Sequence, residues 1–180
     1  NAYLVKQVVF AAIGLMAMFI AMRIDYEHYR DPRLVLGLGA VTLAALAAVL
    51  VIGPEINGTH RWFAVAGVGI QPSELAKIAI ILFTAAVIER RMDRIDEPAY
   101  AVGPIVVALV PVLGLIMWQP DFGSSLVLLA IVAVMVFAAG LPWRYIVKAG
   151  VVIVPVVAVV AILDRYRVRR LTAFLDPWAD

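Results

Sequence analysis

The chain contains no cysteine and only two histidines. Disulfide staples and thiolate metal sites are therefore excluded, and cysteine usage says nothing about redox compartment. His28 and His60 are too far apart in sequence to form a short imidazole metal motif. Charge is also scarce: Asp, Glu, Lys and Arg make up 16% of 180 residues. Soluble domains carry roughly 25%. What fills the space is apolar. Hydrophobic residues reach 64%, and mean hydropathy is +0.99. Apolar runs near the length needed to cross a bilayer recur along the chain. The net charge of +2 fits a membrane protein with basic loops, and nucleic acid need not be invoked as a partner.

The first residue is Asn, no basic segment precedes the first apolar run, and no small-residue cleavage pattern follows it, so that run is not read as a signal peptide. The ending FLDPWAD is polar. The sequence is expected to be a piece of a longer protein.

The expected fold is all-α, a polytopic transmembrane helix bundle with six spans and one transmembrane domain over 1–180. The spans run roughly Leu4–Met22, Leu34–Ile52, Glu74–Ile88, Ala101–Trp118, Ser124–Leu141 and Tyr145–Leu163. Pro104, Pro111 and Pro155 fall inside them and predict kinks and interior packing. Small residues, as in GLGAVTLAALAA, allow helices to approach closely.

The connections alternate in charge. RIDYEHYRDPR, ERRMDRIDEP and the turn with Arg144 and Lys148 are basic, whereas the intervening loops hold only Arg61. Positive-inside bias puts the arginine-rich loops in the cytoplasm and residues 53–73 and WQPDFGS outside. Segment 53–73, with Gly58, Trp62, Gly67 and Gly69, is expected to lie on the outer interface. One cluster breaks the alternation. Arg165, Arg167, Arg169 and Arg170 fall outside by count. Either a span is miscounted or these arginines bind something anionic.

QPSE at 71–74 and QPDF at 119–122 echo one another. Each places Gln-Pro and then a carboxylate at a helix start, on the same face of the membrane. Proline at the first helical position loses no needed N–H. A carboxylate there complements the macrodipole. Two well-capped helices would account for that much. Lys77, three residues after Glu74, asks for more, because a cation inside a membrane segment usually faces a bundle interior or a wet cavity. The plain alternative is a snorkelling lysine paired with Glu74. Arg61 beside Trp62 suits either a phosphate or a headgroup anchor. Together Arg61, Gln71, Ser73, Glu74, Lys77, Gln119, Asp121, Ser124 and Ser125 form a candidate outer-face site for an amphiphilic anion. Its carboxylates could act as a base, position a hydroxyl or a divalent cation, or neutralise the cations. No other cofactor is called for.

The blocks NGTHRW, GIQPSELAK, QPDFGSS, FAAGLPWR and RRLTAFLDPWAD, in this order and spacing, resemble the SEDS family of bacterial cell-wall proteins, the group of FtsW, RodA and SpoVE. The match covers Asn57 to Asp180, with RIDY a weaker likeness upstream. The Asn-Gly before Arg-Trp and the FLDPWAD ending lean toward the division branch rather than the elongation branch. The resemblance implies about ten spans in the whole protein, of which this chain supplies the second to the seventh, with 164–180 the start of a large outward loop. It implies a glycosyltransferase that polymerises lipid II into glycan strands of peptidoglycan, at the outer face of the bacterial cytoplasmic membrane. The implied partners are a class B penicillin-binding protein and other divisome or elongasome membrane proteins. The implied catalytic carboxylate is an Asp beyond this chain, so this stretch alone is expected to be inactive. Arg61, Gln71, Ser73, Glu74, Lys77, Gln119 and Asp121 carry over as substrate-binding residues, and Arg165, Arg167, Arg169 and Arg170 as pyrophosphate contacts. A competing expectation from the residues alone is a flippase or transporter for a lipid-linked precursor. That activity needs polar lining at both ends of the bundle.

Overall fold

A computed structural model describes residues 2–56, 58–65 and 68–163. Six long helices account for most of them: α1 (Ala2–Arg23), α2 (Pro32–Ile52), α3 (Pro72–Arg91), α5 (Gly103–Trp118), α6 (Phe122–Ala138) and α7 (Trp143–Leu163). A one-turn helix, α4 (Pro98–Ala101), precedes α5. Short 3-10 turns at Tyr26–Arg30 and Met92–Arg94 complete the helical part.

Local chemistry sets where the helices start. Asp31 caps α2 by accepting from the Arg33 N–H, with Pro32 at the first position. Pro72 opens α3 in the same way, two residues before the span expected from hydropathy. Pro104 sits at the start of α5 rather than within it, so it begins a helix and does not kink one. Pro111 and Pro155 do lie inside α5 and α7. At the far end of α6 the chain leaves the helix at Ala138 and turns at Gly140, whose φ of 94° favours glycine.

The core is the meeting of α2, α3, α5 and α6. Leu46, Ala76, Ile105, Ile116 and Leu128 are fully buried there. On α3 the buried positions Ser73, Ala76, Ile80 and Thr84 form one stripe at helical spacing. Away from this core the surface is apolar. Val51, Val107, Phe137 and Val151 are all more than 60% exposed. Soluble monomers rarely expose such continuous apolar area, and hydrocarbon is the solvent that suits it. Among the described residues α2 is the helix long and apolar enough to cross a membrane by length and composition. The helices α5 and α6 are equally apolar but shorter.

Segment 53–71 contains an element that hydropathy did not foretell. Strands β1 (Phe63–Val65) and β2 (Val68–Ile70) pair antiparallel, with Phe63 opposite Ile70. Trp62 lies across Gly69, where a Cβ would stand 3.1 Å from the indole. His60 Nδ1 lies 2.7 Å from the Gly53 carbonyl oxygen, tying the segment to the end of α2.

Candidate functional site

The starts of α3 and α6 meet at Asp121. This residue is the N-cap of α6, where its Oδ1 accepts from the Ser124 N–H at 3.2 Å. Its other oxygen gathers the partner helix. Oδ2 accepts from Gln71 Nε2 at 2.8 Å, from Ser124 Oγ at 2.7 Å and from Ser73 Oγ at 3.4 Å. Gln71 is itself the N-cap of α3 but spends its side chain on Asp121 rather than on its own helix. Ser73 and Ser124 lie 3.4 Å apart, and Ser125 donates to the Asp121 carbonyl.

Asp121 is 7% exposed and Ser73 fully buried. A carboxylate so placed needs compensation. Four donors and the positive ends of two helices supply it. With its lone pairs engaged in this way, Asp121 is a hub that fixes α3 against α6, rather than a free base.

Gln119 and Arg61 extend the hub. Gln119 is 1% exposed, and its Nε2 donates to the Leu46 carbonyl of α2 at 3.0 Å. Its Oε1 has no partner. Arg61 reaches over the α5–α6 turn, donating from Nε to the Gln119 carbonyl at 2.6 Å and from Nη2 to the Pro120 carbonyl at 2.7 Å. A guanidinium gripping two successive carbonyls is a geometric latch. It holds the hairpin segment over the turn that carries Asp121.

Glu74 and Lys77 belong to the same helix start but not to this network. Lys77 Nζ pairs with Glu74 Oε2 at 2.6 Å, the glutamate side chain being 61% exposed and the lysine 25%. From the sequence, Lys77 is expected to face a bundle interior or wet cavity, or else to snorkel while paired with Glu74. Its ion pair is with Glu74, and the Asp121 hydrogen bonds come from Gln71, Ser73 and Ser124. Arg165, Arg167, Arg169 and Arg170 lie outside the described residues. Among the described residues no three His, Cys, Asp or Glu side chains converge as a metal site would require.

Two participants had no side-chain signal. The Leu46 and Pro120 carbonyls are backbone groups whose role depends on how the helices meet. The opposite end of the bundle is built differently. There Arg30 pairs with Glu89, and Arg91 and Arg94 lie over the Tyr100 ring at 4.5 and 5.5 Å. Those arginines are committed to surface contacts of the protein itself.

Comparison with known proteins agrees with this architecture. The family model described as "Cell cycle protein", covering FtsW, RodA and SpoVE, matches residues 1–180. A protein of Geobacter sp. strain M18 named "Probable peptidoglycan glycosyltransferase FtsW" is 37% identical over 178 residues, which is 99% of this chain and 48% of that protein. A protein of the same name from Trichlorobacter lovleyi is 38% identical, over 99% of this chain and 47% of its own. The chain thus spans about half the length of the curated relatives it matches. Among solved structures, a chain of a peptidoglycan synthase complex, described as coordinating polymerization and crosslinking, superposes on 97% of this chain with a TM-score of 0.75 at 32% identity, over 51% of its own length. The rod shape determining protein RodA of Thermus thermophilus superposes on 88% with a TM-score of 0.68 at 34% identity, over 49% of its length. Matched by the family model from end to end and sharing the fold of RodA, the chain belongs to the FtsW/RodA/SpoVE family.

Proposed function

We propose that the protein containing this chain is a peptidoglycan glycosyltransferase that polymerises lipid II, working at the outer face of the bacterial cytoplasmic membrane beside a penicillin-binding protein. One observation carries this: relatives named as probable peptidoglycan glycosyltransferases align with practically the whole chain at 37–38% identity. The likeness to a synthase complex that couples polymerization to crosslinking supports the partner.

In the proposed reaction an acceptor sugar hydroxyl attacks the anomeric carbon of the donor. The bond from that carbon to the pyrophosphate breaks, and undecaprenyl pyrophosphate leaves. The hydroxyl proton passes to a carboxylate outside this chain. The hub at Asp121 contributes rigidity: it fixes the first turns of α3 and α6 side by side, their dipoles already answering the Asp121 carboxylate. Lys77, one turn inside α3 and a quarter exposed, supplies a cation beside that position. Preorganised charge of this kind stabilises a leaving group at little reorganisation cost.

The flippase alternative has less support. Four of the six buried polar side chains among the described residues, Ser73, Gln119, Asp121 and Ser125, collect at one end of the bundle, with Thr42 and Thr84 further along α2 and α3, whereas the other end presents surface arginines. The test is direct. The full-length protein, purified with its penicillin-binding partner and given lipid II, should yield glycan strands that resolve as a ladder on a gel. Absence of polymer from a folded, partner-bound preparation overturns the proposal.

A further inference from the structure

The tripeptide His60-Arg61-Trp62 is pinned at each of its side chains, and each is pinned to a different piece of the fold. His60 Nδ1 lies 2.7 Å from the Gly53 carbonyl oxygen at the end of α2. Arg61 grips the α5–α6 turn. Trp62 lies against Gly69 of β2. The guanidinium is therefore held in place before any ligand arrives, and a side chain fixed in advance loses little entropy on binding.

A guanidinium presents its N–H groups as a planar fork with more than one usable edge. Arg61 commits Nε and Nη2, its side-on edge, to the Gln119 and Pro120 carbonyls. The end-on edge, with one N–H each from Nη1 and Nη2, has no acceptor among the described residues. Parallel N–H groups of that kind match an oxyanion bidentately.

Charge points the same way. Both acceptors of Arg61 are neutral, and among the described residues it has no carboxylate within ion-pair distance. Its exposure is only partial, and cations withdrawn from water are usually paired. The other charges at this end are answered: Lys77 pairs with Glu74, and Asp121 accepts from Gln71, Ser73 and Ser124. Arg61 keeps an uncompensated charge and an open fork.

We propose that the end-on edge of Arg61 receives a phosphate oxyanion, and that its occupancy holds the β1–β2 hairpin closed over the Asp121 turn. With the hairpin closed, the guanidinium is fixed and partly withdrawn from water. With the hairpin open, it is mobile and fully hydrated. The oxyanion therefore binds the closed state better and shifts the equilibrium toward it. Two sources carry this chemistry at a membrane face: the pyrophosphate of a lipid-linked donor and the headgroup of a phospholipid.

The experiment uses the full-length protein in a maltoside detergent, which contains no phosphate, with inorganic pyrophosphate as the probe. At ten times its dissociation constant, pyrophosphate should slow amide exchange in β1 and β2 about tenfold. Sodium chloride of equal ionic strength should give no protection. Arg61→Lys and Arg61→Ala should bind pyrophosphate about tenfold more weakly or worse in calorimetry, and show no protection. Those variants also open the hairpin, so Gly69→Ala is the second test. Its Cβ would stand 3.1 Å from the Trp62 ring, which loosens the hairpin and leaves Arg61 intact. There pyrophosphate should restore protection. Dihexanoyl phosphatidylglycerol forms the other arm. Protection by pyrophosphate where this lipid has no effect assigns the site to a pyrophosphate, and protection by the lipid alone assigns it to a headgroup. Protection by neither, protection by chloride, or equal pyrophosphate affinity in wild type and both Arg61 variants overturns the proposal. A Gly69→Ala protein as unresponsive as Arg61→Lys overturns it as well. Neither probe can be polymerised, so this site and the lipid II polymerase can each fail without the other.

Discussion

Gln71 donates its side-chain amide to Asp121 at 2.8 Å, across fifty positions of sequence. This bond and the two serine hydroxyls join the first turn of α3 to the first turn of α6. The echo of QPSE and QPDF is thus a contact as well as a repeat, since each motif supplies one half of a shared cap.

Removing the acceptor should therefore loosen both helices. In Asp121→Ala the Gln71, Ser73 and Ser124 donors lose their partner, and a buried donor so stranded costs about 1–3 kcal/mol. A total near ~3 kcal/mol corresponds to a melting temperature lower by roughly 6–12 °C for a chain of this size. Asp121→Asn keeps one acceptor oxygen and should fall between. Thermal unfolding in detergent, with wild type and both variants, gives the order. Equal melting temperatures for Asp121→Ala and wild type would show that the hub contributes nothing.

Arg61 makes a different kind of contact, two parallel bonds to successive carbonyls. Lysine keeps the charge and loses the fork, so the charge-conserving change should behave like a deletion. Arg61→Lys and Arg61→Ala should both raise amide exchange in β1 and β2 by tenfold or more, while exchange in α5 stays as it was. Protection retained in Arg61→Lys alone would make the contact one of charge rather than geometry.

Gln119 separates hydrogen bonding from packing. Its Nε2 is used and its Oε1 is not. Gln119→Leu discards both, and the Leu46 carbonyl lies within α2, where the helix ladder serves it. That exchange should be close to neutral. Gln119→Glu points a carboxylate at the Leu46 carbonyl in a fully buried place and should lower stability by several kcal/mol. Comparable melting temperatures for the two variants would contradict this account of the α2–α5 junction.

The bundle was legible in the sequence because apolar length, proline at helix starts and acidic caps all act locally. The six long helices follow from those signals. The hairpin was not legible, since two strands of three residues, Phe63–Val65 and Val68–Ile70, are too short for alternation to show. The residues of the polar end could be named from their types and spacing, but their pairing could not. Whether Asp121 meets Gln71 or Lys77 depends on the rotation of α3 about its axis, which the packing of Ala76 and Ile80 decides. The Glu74–Lys77 pair, three residues apart on one helix, was readable for the opposite reason.

Topology can be tested cleanly because the chain has no native cysteine. Gly123 lies in the first turn of α6 beside the hub, and a Cβ there meets only Asp121 Oδ1 at 3.9 Å, an ordinary contact. Asp93 lies at the arginine-rich end. An impermeant maleimide added to intact cells should label Gly123→Cys and spare Asp93→Cys until the membrane is permeabilised. The reverse pattern would place the hub in the cytoplasm and remove the outer-face reaction.

The last prediction concerns Lys77, where stability and activity should part. Its partner Glu74 is largely exposed, and pairs of that kind contribute only about 0–1 kcal/mol. Lys77→Ala should therefore leave the melting temperature within roughly 2 °C of wild type. If Lys77 stands beside the departing pyrophosphate, the same change should reduce lipid II polymerisation by two orders of magnitude or more, since one well-placed donor to a developing negative charge is worth about 10²–10³ in rate. Glu74→Gln isolates the pair. It removes the salt bridge and keeps the cation, so it should retain far more activity than Lys77→Ala. Membrane insertion and co-purification of the penicillin-binding partner serve as controls for folding in the full-length protein. Wild-type polymerisation by Lys77→Ala would reduce this lysine to a snorkelling surface residue. Equal losses in Lys77→Ala and Glu74→Gln would mean that the ion pair, rather than the cation, is what the reaction requires.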